Sequence, residues 1–420
     1  MITSVVWNIE GHGVRVADPV ARLKSWTRYF SQSLENCLVG QASSLAPFVG
    51  ASEDACPTRL LYHEEMHALE DRLKQQAHVL GFELAGIASA VPADSFDRLS
   101  EWLAQGFAGE MSHMHQQAEA RRHPASILPE VRSVVMVGMN YQAREPLSAG
   151  SRPSSLSLMG KVARYARGDD YHDVLWERLN QLLAWVQQQV PDCRGRGVVD
   201  TAPLLERDFA RRAGLGWFGK NTMLIDRTLG SYILLGALLL DCELQPDVPH
   251  DKAHCGTCSA CLAACPTQAF AGPGLLDSRR CLSYLTIELK GHVPEDLRRE
   301  MNEWLFGCDI CQEVCPWNRK FLPGREPALH PRPELAAIDL VEVLSLSEEE
   351  YRSRFRGTAL LRARRRGLLR NAALILGNRG DTRALPALRK LLTDSEPTLR
   401  AAASWAIVLI EKRSIRTVIT

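Results

Sequence analysis

The sequence lacks the features of a protein that enters a membrane or is exported. Its longest apolar run, "ILLGALLL" (Ile233–Leu240), is far shorter than the roughly 20 apolar residues that a membrane-spanning helix needs. The first residues, "MITSVVWNIEGHGVRV", have neither the basic start nor the unbroken apolar stretch of a signal peptide. We therefore expect a cytoplasmic protein without membrane contacts, and we expect a monomer.

The chain also lacks a strong charge of either sign. Its 50 lysine and arginine residues nearly balance 49 aspartate and glutamate residues, so the formal net charge is +1. Proteins that bind nucleic acid over much of their surface are strongly basic. Any surface that binds nucleic acid must therefore be a local feature of this protein.

Cysteine, by contrast, is abundant. The chain has twelve cysteines, and in the cytoplasm the glutathione pool keeps thiols reduced, which makes structural disulfides a poor explanation for them. Eight of the twelve lie within Cys255–Cys315. The other four are scattered, and we expect them to be ordinary buried or surface residues: Cys37, Cys56, Cys193 and Cys242.

The eight clustered cysteines follow the spacing of iron–sulfur ligands. In "CGTCSACLAACPTQAF", three cysteines recur every third residue and a fourth precedes a proline, which is the bacterial ferredoxin pattern for a 4Fe-4S cluster. The fourth cysteine of that pattern ligates a second cluster. This rule predicts one cluster on Cys255, Cys258, Cys261 and Cys315, and a second cluster on Cys265, Cys281, Cys308 and Cys311.

Zinc is the main alternative for these cysteines, because zinc sites also use Cys-x-x-Cys pairs. Such sites consist of two separated pairs, whereas these thiols crowd together and both runs end in Cys-Pro, at Cys265 and Cys315. Iron–sulfur clusters are therefore favoured. Since clusters transfer single electrons and have no substrate pocket of their own, the chemistry is expected in a neighbouring domain.

Composition and pattern divide the chain into four predicted domains. Residues 1–60 have poor periodicity and include the linker-like "QASSLAPFVGASEDACP", which predicts an N-terminal extension. Strand patterns alternate with helix patterns over 61–240, as in an α/β or α+β domain. The cysteine-rich domain covers 241–330, and the proline-punctuated "LHPRPELAAIDL" leads into a helical domain over 331–420.

Within 61–240 the sequence predicts two helices and several strands. One helix starts near Tyr62 and ends at Gly81, and another follows the apolar spacing of "YHDVLWERLNQLLAWVQQQV" from Tyr171. Apolar runs such as "FELAGIAS" and "SVVMVGMNY" indicate strands. The runs "NTMLID" and "SYILLGALLL", joined by "RTLG", indicate a β-hairpin.

The segment "DTAPLLERDFARRAGLGWFGKNTMLI", which starts at Asp200, contains two candidate features. Gly214, Gly216 and Gly219 formally match a dinucleotide-binding fingerprint, but they follow a helical stretch instead of a strand, so they indicate a tight turn. Asp200 follows a short strand and is either a turn or capping residue or a general acid. Because a free aspartate titrates at about pH 4, an acid role at neutral pH requires burial.

The C-terminal region contains an internal repeat. "RNAALILGN" starts at Arg370 and "RAAASWAIV" starts at Arg400, which is a spacing of 30 residues. The stretch between them, "DTRALPALRKLLTDSEPTLR", has the pattern of a turn, a helix and a second turn. This arrangement resembles HEAT-type helical repeats.

Four motifs in this order resemble the epoxyqueuosine reductase family from about residue 62 to about residue 410: "ARYARGDDYHDVL", "DTAPLLERDFARRAGLGWFGKNTMLI", "HCGTCSACLAACPTQAF" and "LFGCDICQEVCPWN". The resemblance implies a cobalamin-binding α/β domain similar to reductive dehalogenases, followed by a ferredoxin-like module with two 4Fe-4S clusters. It implies reduction of the epoxide of epoxyqueuosine to queuosine at the wobble position of tRNA. An external donor would supply the electrons, which the clusters would pass to cobalamin.

The resemblance also implies roles for single residues. Asp200 matches the proton donor of the family. Residues that match cobalamin contacts are Arg122, Asn221, Ser283 and Asp309. Arg207 and Lys290 match basic residues on the side of the tRNA substrate. For each of these positions an ordinary surface or turn residue is the alternative.

Arginine is concentrated where the helical repeats begin. Eight arginines lie within Arg352–Arg370, and their planar groups match phosphates. Together with the family resemblance, this run predicts a tRNA-binding surface that includes Arg364, Arg365 and Arg366. The alternative is a charged helix face paired with the acidic residues of Glu348–Glu350.

Two other functions fit parts of the sequence. One is an iron–sulfur electron-transfer protein, although a plain carrier needs no additional domain of about 180 residues. The other is a different cobalamin-dependent reductase, similar to the dehalogenases. The helical repeats and the arginine run favour an RNA substrate over that second alternative, and no twin-arginine export signal is visible.

Overall fold

The structure is a computed structural model that describes residues 69–143, 158–320 and 322–419. The predicted N-terminal extension, 1–60, and the predicted start of the first helix lie outside these ranges. The strands are β1 (Leu84–Ser89), β2 (Ser133–Asn140), β3 (Met159–Val162), β4 (Gly195–Val198), β5 (Trp217–Phe218), β6 (Leu224–Ile225), β7 (Ile233–Leu240), β8 (Phe270–Gly272), β9 (Leu275–Leu276), β10 (Trp304–Phe306) and β11 (Ala337–Asp339).

Helices connect and flank these strands. Those before the cysteine-rich region are α1 (69–79), α2 (Phe96–Ala104), α3 (Ser112–Gln116), α4 (Tyr171–Gln189) and α5 (Glu206–Arg212). Those within that region are α6 (Ala260–Ala264), α7 (Leu282–Ile287), α8 (Glu295–Arg298) and α9 (Ile310–Glu313). The C-terminal helices are α10 (Pro333–Ala336), α11 (Leu340–Ser345), α12 (Glu348–Arg354), α13 (Arg364–Arg379), α14 (Leu385–Leu391) and α15 (Pro397–Ile419).

A four-stranded sheet in the order β1-β2-β7-β4 forms the centre of the first region, and all its pairs are antiparallel. Every residue of β2 is buried, because both faces of the sheet are covered. Val135 and Val137 pack into a core with α1 and α4, whereas Val134 and Met136 pack into a core with α5. Successive apolar side chains of β2 thus point to opposite faces of the sheet and contribute to two different cores.

Helix α4 confirms the amphipathic pattern of its sequence. The buried side chains Leu175, Leu179, Leu182 and Val186 recur at helical spacing and face the sheet. The Asp170 side chain caps the helix by accepting a hydrogen bond from the His172 N–H. This cap fixes the first turn of α4, which becomes important for the site below.

The predicted hairpin between "NTMLID" and "SYILLGALLL" is wrong. Strand β6 pairs with β5, and only an isolated bridge between Asp226 and Gly230 closes the turn that follows. Strand β7 instead lies between β2 and β4. An apolar strand of eight residues is best buried in the middle of a sheet, whereas the two-residue β6 cannot pair along its length.

The glycine-rich segment forms a turn between α5 and β5, as its position after a helix predicts. Gly216 has a φ of +152°, and a Cβ atom there would lie 2.2 Å from the Ile225 carbonyl oxygen. Only glycine allows this approach. A strand-to-helix phosphate loop, which the dinucleotide fingerprint requires, is not present in this described segment.

A smaller sheet, β10-β3-β11, draws one strand from each of the three predicted domains that follow residue 60. Strand β10 runs parallel to β3, and β11 runs antiparallel to it. One buried apolar cluster likewise extends from Leu73 to Ile410. The three regions therefore share one core, and their predicted boundaries stay predictions.

The C-terminal helices pack as the internal repeat predicts. Ala372 and Ala373 of α13 and Ala402 and Ala403 of α15 are buried at equivalent positions. A Cβ atom at Gly377 would lie 2.8 Å from the Cα atom of Ala406, so this glycine allows the two helices to approach closely. Among the helices that the structure describes, none is long and apolar enough to span a bilayer.

Candidate active site and cluster region

Asp200 lies in the turn that follows β4 and is buried, with 7% of its surface exposed. The first turn of α4 packs against it. The Tyr171 hydroxyl donates a hydrogen bond of 2.5 Å to Asp200 Oδ2. His172 Nε2 lies 2.7 Å from Asp200 Oδ1, and His172 Nδ1 lies 2.7 Å from Asp170 Oδ1. The imidazole thus bridges two carboxylates, one of them the predicted proton donor.

Charge stabilises the protonated form of this imidazole. Burial disfavours the imidazolium, but the contacts with Asp170 and Asp200 outweigh burial and raise the pKa of His172 to about 10. Burial and the Asp200 carboxylate raise the pKa of Tyr171 above its usual range, so its hydroxyl keeps its proton. Asp200 Oδ1 is buried, and the imidazole of His172 contacts it at 2.7 Å.

A second acidic group lies next to Asp200. Burial and the charge of Asp200 raise the pKa of Glu206, while Arg207 and Arg121 partly offset this effect. Arg207 donates a hydrogen bond to the Thr222 carbonyl oxygen, and burial lowers its pKa. Arg207, which the sequence places on the substrate side, therefore offsets part of the negative charge of Glu206 and Asp200.

The His172 pair predicts a specific pH dependence of stability. The folded-state pKa of about 10 lies above the ordinary value of 6.5, so the contribution of His172 is complete below about pH 6.5 and is lost as the pH rises through about 10. We expect the difference in unfolding free energy between the wild type and His172→Gln to fall by up to about 1.4 kcal/mol per pH unit in that window.

Anaerobic denaturant titrations at several pH values between 6 and about 10.5 measure this difference. His115→Gln is the matched control, because His115 is exposed on α3 and has no acidic partner in the described part of the chain. A difference for His172→Gln that does not change with pH would contradict the two-carboxylate contact.

The clustered cysteines influence one another electrostatically mainly within the two predicted groups. Burial raises the pKa of the Cys315 thiol, and the neighbouring Cys255 and Cys258 raise it further. Burial, Cys315 and Cys255 likewise raise the pKa of Cys261. These four are the predicted ligands of one cluster: Cys255, Cys258, Cys261 and Cys315.

The other four cysteines form the second group. Burial raises the pKa of Cys308, with Cys281 and Cys311 as neighbours, and it raises the pKa of Cys281, with Cys265 as a neighbour. Cys311 also lies near Cys261 of the first group, so the two groups are adjacent. This arrangement supports the crossed assignment, in which Cys265 belongs with Cys281, Cys308 and Cys311.

Both groups consist of thiols that lie close to one another in the chain and in the fold. Partly buried thiols that crowd together resist ionisation, and an iron–sulfur cluster compensates their thiolates. Lys220 Nζ donates to the carbonyl oxygens of Gly256 and Cys258, at 2.7 and 2.8 Å, and so fixes the loop of the first group.

Three predicted cobalamin contacts lie around the second cysteine group. Asn221 is buried, and its Nδ2 donates a 3.4 Å hydrogen bond to the Cys311 carbonyl oxygen. Ser283 is half-buried two residues after Cys281, in α7. Asp309 is buried next to Cys308 and accepts a hydrogen bond of 2.8 Å from the Arg164 N–H.

Tyr165 connects this group to Asp200. Burial raises the pKa of Tyr165, and the carboxylates of Glu288, Asp200 and Asp309 raise it further. The Tyr165 ring packs edge-on against the Tyr171 ring, with 5.9 Å between their centroids, and Tyr171 contacts Asp200. Arg122 is exposed, pairs with Glu119 at 2.6 Å and stacks on Phe96 at 3.9 Å.

The predicted basic residues do not form one uniform patch. Arg365 is held by Asp394 at 2.8 Å and by the Leu346 carbonyl oxygen at 2.7 Å, and Arg366 lies 3.9 Å from Glu396. Arg364 is exposed and has a φ of +57°, which is rare for a residue other than glycine. Lys290 is exposed as well.

The arginine run as a whole is partly structural. Arg370 is buried, and its guanidinium donates to the carbonyl oxygens of Leu285, Leu289 and Gly291. It therefore ties the repeats to the segment that follows Cys281. Arg352 pairs with Glu348 at 2.8 Å, so the alternative of a paired helix face is correct for that residue.

Three family models match parts of the chain. "Epoxyqueuosine reductase QueG, DUF1730" matches residues 121–201, which end just after Asp200. "4Fe-4S double cluster binding domain" matches 254–318, which contain all eight clustered cysteines, and "HEAT repeats" match 356–417. The predictions of a two-cluster domain and of HEAT-like repeats are thereby confirmed.

Curated relatives match most of the chain. The epoxyqueuosine reductase of Pseudomonas aeruginosa is 40% identical over 340 residues, which cover 81% of this chain and 94% of that protein. The epoxyqueuosine reductase of Escherichia coli (strain K12) is 39% identical over 352 residues, which cover 83% of this chain and 92% of that protein. The chain belongs to the epoxyqueuosine reductase family. It is accordingly an oxidoreductase with a double 4Fe-4S cluster domain.

Solved structures of epoxyqueuosine reductase share this fold. One, in complex with a tRNA-Tyr epoxyqueuosine-modified stem loop, has a TM-score of 0.76 and 34% identity and covers 82% of this chain and 91% of its own. Another, from Bacillus subtilis, has its catalytic aspartate loop swung out of the active site. It has a TM-score of 0.74 and 33% identity and covers 82% of this chain and 91% of its own.

Sequence reasoning missed several residues that surround Asp200 in this epoxyqueuosine reductase family member. Tyr171, His172 and Asp170 lie in the motif "ARYARGDDYHDVL", which carried the family resemblance without a role for any single residue. Glu206 follows Asp200 by six residues and was equally visible. The signal in the sequence is Asp170, which precedes His172 by two residues at the start of a helix. Only the packing of that helix shows that His172 also contacts Asp200.

Proposed function

We propose that this protein reduces epoxyqueuosine to queuosine at the wobble position of tRNA, with Asp200 as the proton donor. One observation carries the proposal: the buried Asp200 is contacted by Tyr171 and His172, and the Tyr171 ring packs against Tyr165. The preceding residue along the chain, Arg164, donates a hydrogen bond to Asp309 beside the second cysteine group. A set of contacts thus joins the proposed proton donor to the proposed electron source. Membership of the epoxyqueuosine reductase family supplies the substrate.

Cobalamin fits the residues at this site. Its rim carries neutral amides, which suit the polar side chains of Asn221, Ser283 and Asp309 around the second cysteine group. When bound, cobalamin supplies electrons to the epoxide carbon. Arg122, which is exposed and paired with Glu119, is the predicted contact that this arrangement supports least.

Residues of this chain supply a proton and position the group that donates it. Removing an epoxide oxygen as water consumes two electrons and two protons, and an external donor supplies the electrons through the clusters. Asp200 delivers a proton to the departing oxygen, and Tyr171 keeps its carboxylate in place through the 2.5 Å hydrogen bond. His172 lies 2.7 Å from the other carboxylate oxygen of Asp200 and orients the carboxyl group from that side.

Local positive charge supports a tRNA substrate despite the net charge of +1. Arg362, Arg121 and Lys290 all act on His113, whose pKa burial and these charges lower to about 4. Of these three cations, Arg362 is paired with Glu288 at 2.8 Å, whereas Lys290 is exposed. Lys290 and the exposed Arg364 would contact RNA phosphates, while the unstacked base would approach Asp200.

The reaction would take place in the cytoplasm, where tRNA is modified, and in a monomer. Mass spectrometry of tRNA nucleosides from a strain that lacks the gene tests the proposed function. We expect epoxyqueuosine to accumulate and queuosine to return when the gene is restored. Absence of epoxyqueuosine in that strain would overturn the proposal. Anaerobic protein that fails to bind added cobalamin would favour a plain electron carrier instead.

Arg364 offers a test of the RNA surface. We expect Arg364→Ala to weaken binding of an anticodon stem-loop severalfold and to reduce the slope of log affinity against log salt by about one. Fluorescence polarisation at several salt concentrations measures both quantities. Arg352→Ala is the matched control, because it removes the same charge from an exposed residue already paired with Glu348. An equal effect of both substitutions would mean that net charge, and not this position, matters.

A further inference from the structure

Two cysteines outside the cluster region flank neighbouring strands of the central sheet and face each other. Strands β4 and β7 are antiparallel, with Gly195 opposite Leu240 and Val198 opposite Ala237. Continuing this register by two residues places Cys193 directly opposite Cys242. The sequence predicts ordinary buried or surface residues at both positions, and 48 residues separate them along the chain.

Backbone geometry supports this pairing. The Asp241 N–H donates to the Arg194 carbonyl oxygen at 3.0 Å, and the Arg194 N–H donates to Asp241 Oδ1 at 2.7 Å. The next pair outward, Cys193 and Cys242, exchanges no backbone hydrogen bond, so it has the closer side-chain spacing of a non-hydrogen-bonded pair. Such pairs have Cα separations within the range that a disulfide spans.

The side chains already meet. The two Sγ atoms lie 2.8 Å apart, closer than the contact distance of two unbonded sulfur atoms, while both cysteines are free thiols. Cys193 is 3% exposed, and Cys242 is half-buried, so one sulfur can be reached from solvent. Neither belongs to the two groups of cluster cysteines.

We propose that Cys193 and Cys242 are a redox site, a cross-strand dithiol that a small disulfide such as oxidised glutathione converts to a disulfide. The Cys242 thiolate attacks oxidised glutathione, forms a mixed disulfide and releases one glutathione thiolate. The Cys193 thiolate then attacks the Cys242 sulfur and releases the second glutathione. The two cysteines lose two electrons and two protons, and two molecules of reduced glutathione carry them away.

Closure would join the start of β4 to the end of β7. Asp200 lies two residues beyond the other end of β4, so the link would hold the strand that positions the proposed proton donor. Burial raises the pKa of both thiols. Cys193 raises the pKa of Cys242 further, whereas the hydrogen bond with Cys242 partly offsets the effect of burial on Cys193. The reaction should therefore be slow at neutral pH and faster in alkaline buffer.

Peptide mapping of the cluster-loaded full chain tests the proposal. Anaerobic protein is incubated with oxidised glutathione at pH 8.5 or about one unit lower, alkylated under denaturing conditions and digested with trypsin. The expected product joins peptide 179–194, which ends "VPDCR", to peptide 228–252, which contains "LLLDCELQ". It should form severalfold faster at the higher pH and separate after reduction. Absorbance of the iron–sulfur clusters before and after incubation shows that their ligands stayed bound.

The controls make each outcome decisive. In Cys193→Ser, the linked peptide should disappear and Cys242 should carry glutathione instead. Wild-type protein in which both peptides remain separately alkylated would overturn the proposal. So would wild-type protein in which Cys242 stays glutathionylated or joins Cys37 or Cys56. If the variant does not fold, the wild-type map alone still decides, because it requires no substitution.

Discussion

Asp200→Asn is expected to lower the rate of epoxide reduction by about 10²–10⁴-fold, the contribution that a positioned general acid makes. Asparagine has nearly the same shape and can still accept the hydrogen bond from the Tyr171 hydroxyl, but it has no acidic proton to donate. Single-turnover assays with reduced protein and an epoxyqueuosine-containing stem-loop measure the rate of this step. The cluster spectra and stem-loop affinity of the variant should match those of the wild type.

Asp192→Asn is the matched control for this substitution. Asp192 is exposed in the loop before β4 and carries the same charge, but it lies outside the site. We expect its rate to equal that of the wild type. An Asp200→Asn variant that keeps a rate within about threefold of the wild type would exclude Asp200 as the principal proton donor.

The second large effect concerns the ligands of the clusters. Cys265→Ala and Cys258→Ala should each lower the iron content from about eight atoms per chain to about four, because each removes a ligand of one four-iron cluster. Both variants should lose epoxide reduction, because the proposed electron path runs through both clusters. Single variants of this kind do not reveal which cysteines share a cluster.

Double substitutions separate the possibilities. If Cys265 and Cys308 bind the same cluster, the double variant Cys265→Ala/Cys308→Ala keeps about four iron atoms. The double variant Cys258→Ala/Cys265→Ala should lose nearly all iron, although these two cysteines are only seven residues apart. Iron and sulfide analysis with electron paramagnetic resonance measures this. If Cys258→Ala/Cys265→Ala retained about four iron atoms, the crossed assignment would be wrong. Cys193→Ala should keep about eight.

Much of this protein was predictable from local sequence patterns. The spacing of the cysteines predicted two clusters, because ligand geometry constrains residues that are close along the chain. The apolar period of α4 and the glycine at position 81, whose φ is +96°, likewise predicted the buried face of one helix and the end of another. Each of these features depends on neighbours within a few residues.

Strand partners could not be predicted in this way. The hairpin prediction failed because β7, an apolar run of eight residues, pairs with two strands that are distant in sequence. Register across those strands also brought Cys193 to Cys242. The arginines between Arg352 and Arg370 also differ in a way that local sequence does not show. Arg370 is buried and donates hydrogen bonds to three carbonyl oxygens, whereas Arg364 is exposed.

The sequence by itself determined which chemistry the chain can perform, since eight cysteines at ligand spacing and an aspartate after a strand require only local order. The tertiary structure alone decided what surrounds that aspartate. Tyr171 and His172 reach Asp200 because the capped first turn of α4 packs against the end of β4, 29 residues further along the chain. Burial and charge partners arise from such long-range packing, and they determine whether a carboxyl group can act as an acid.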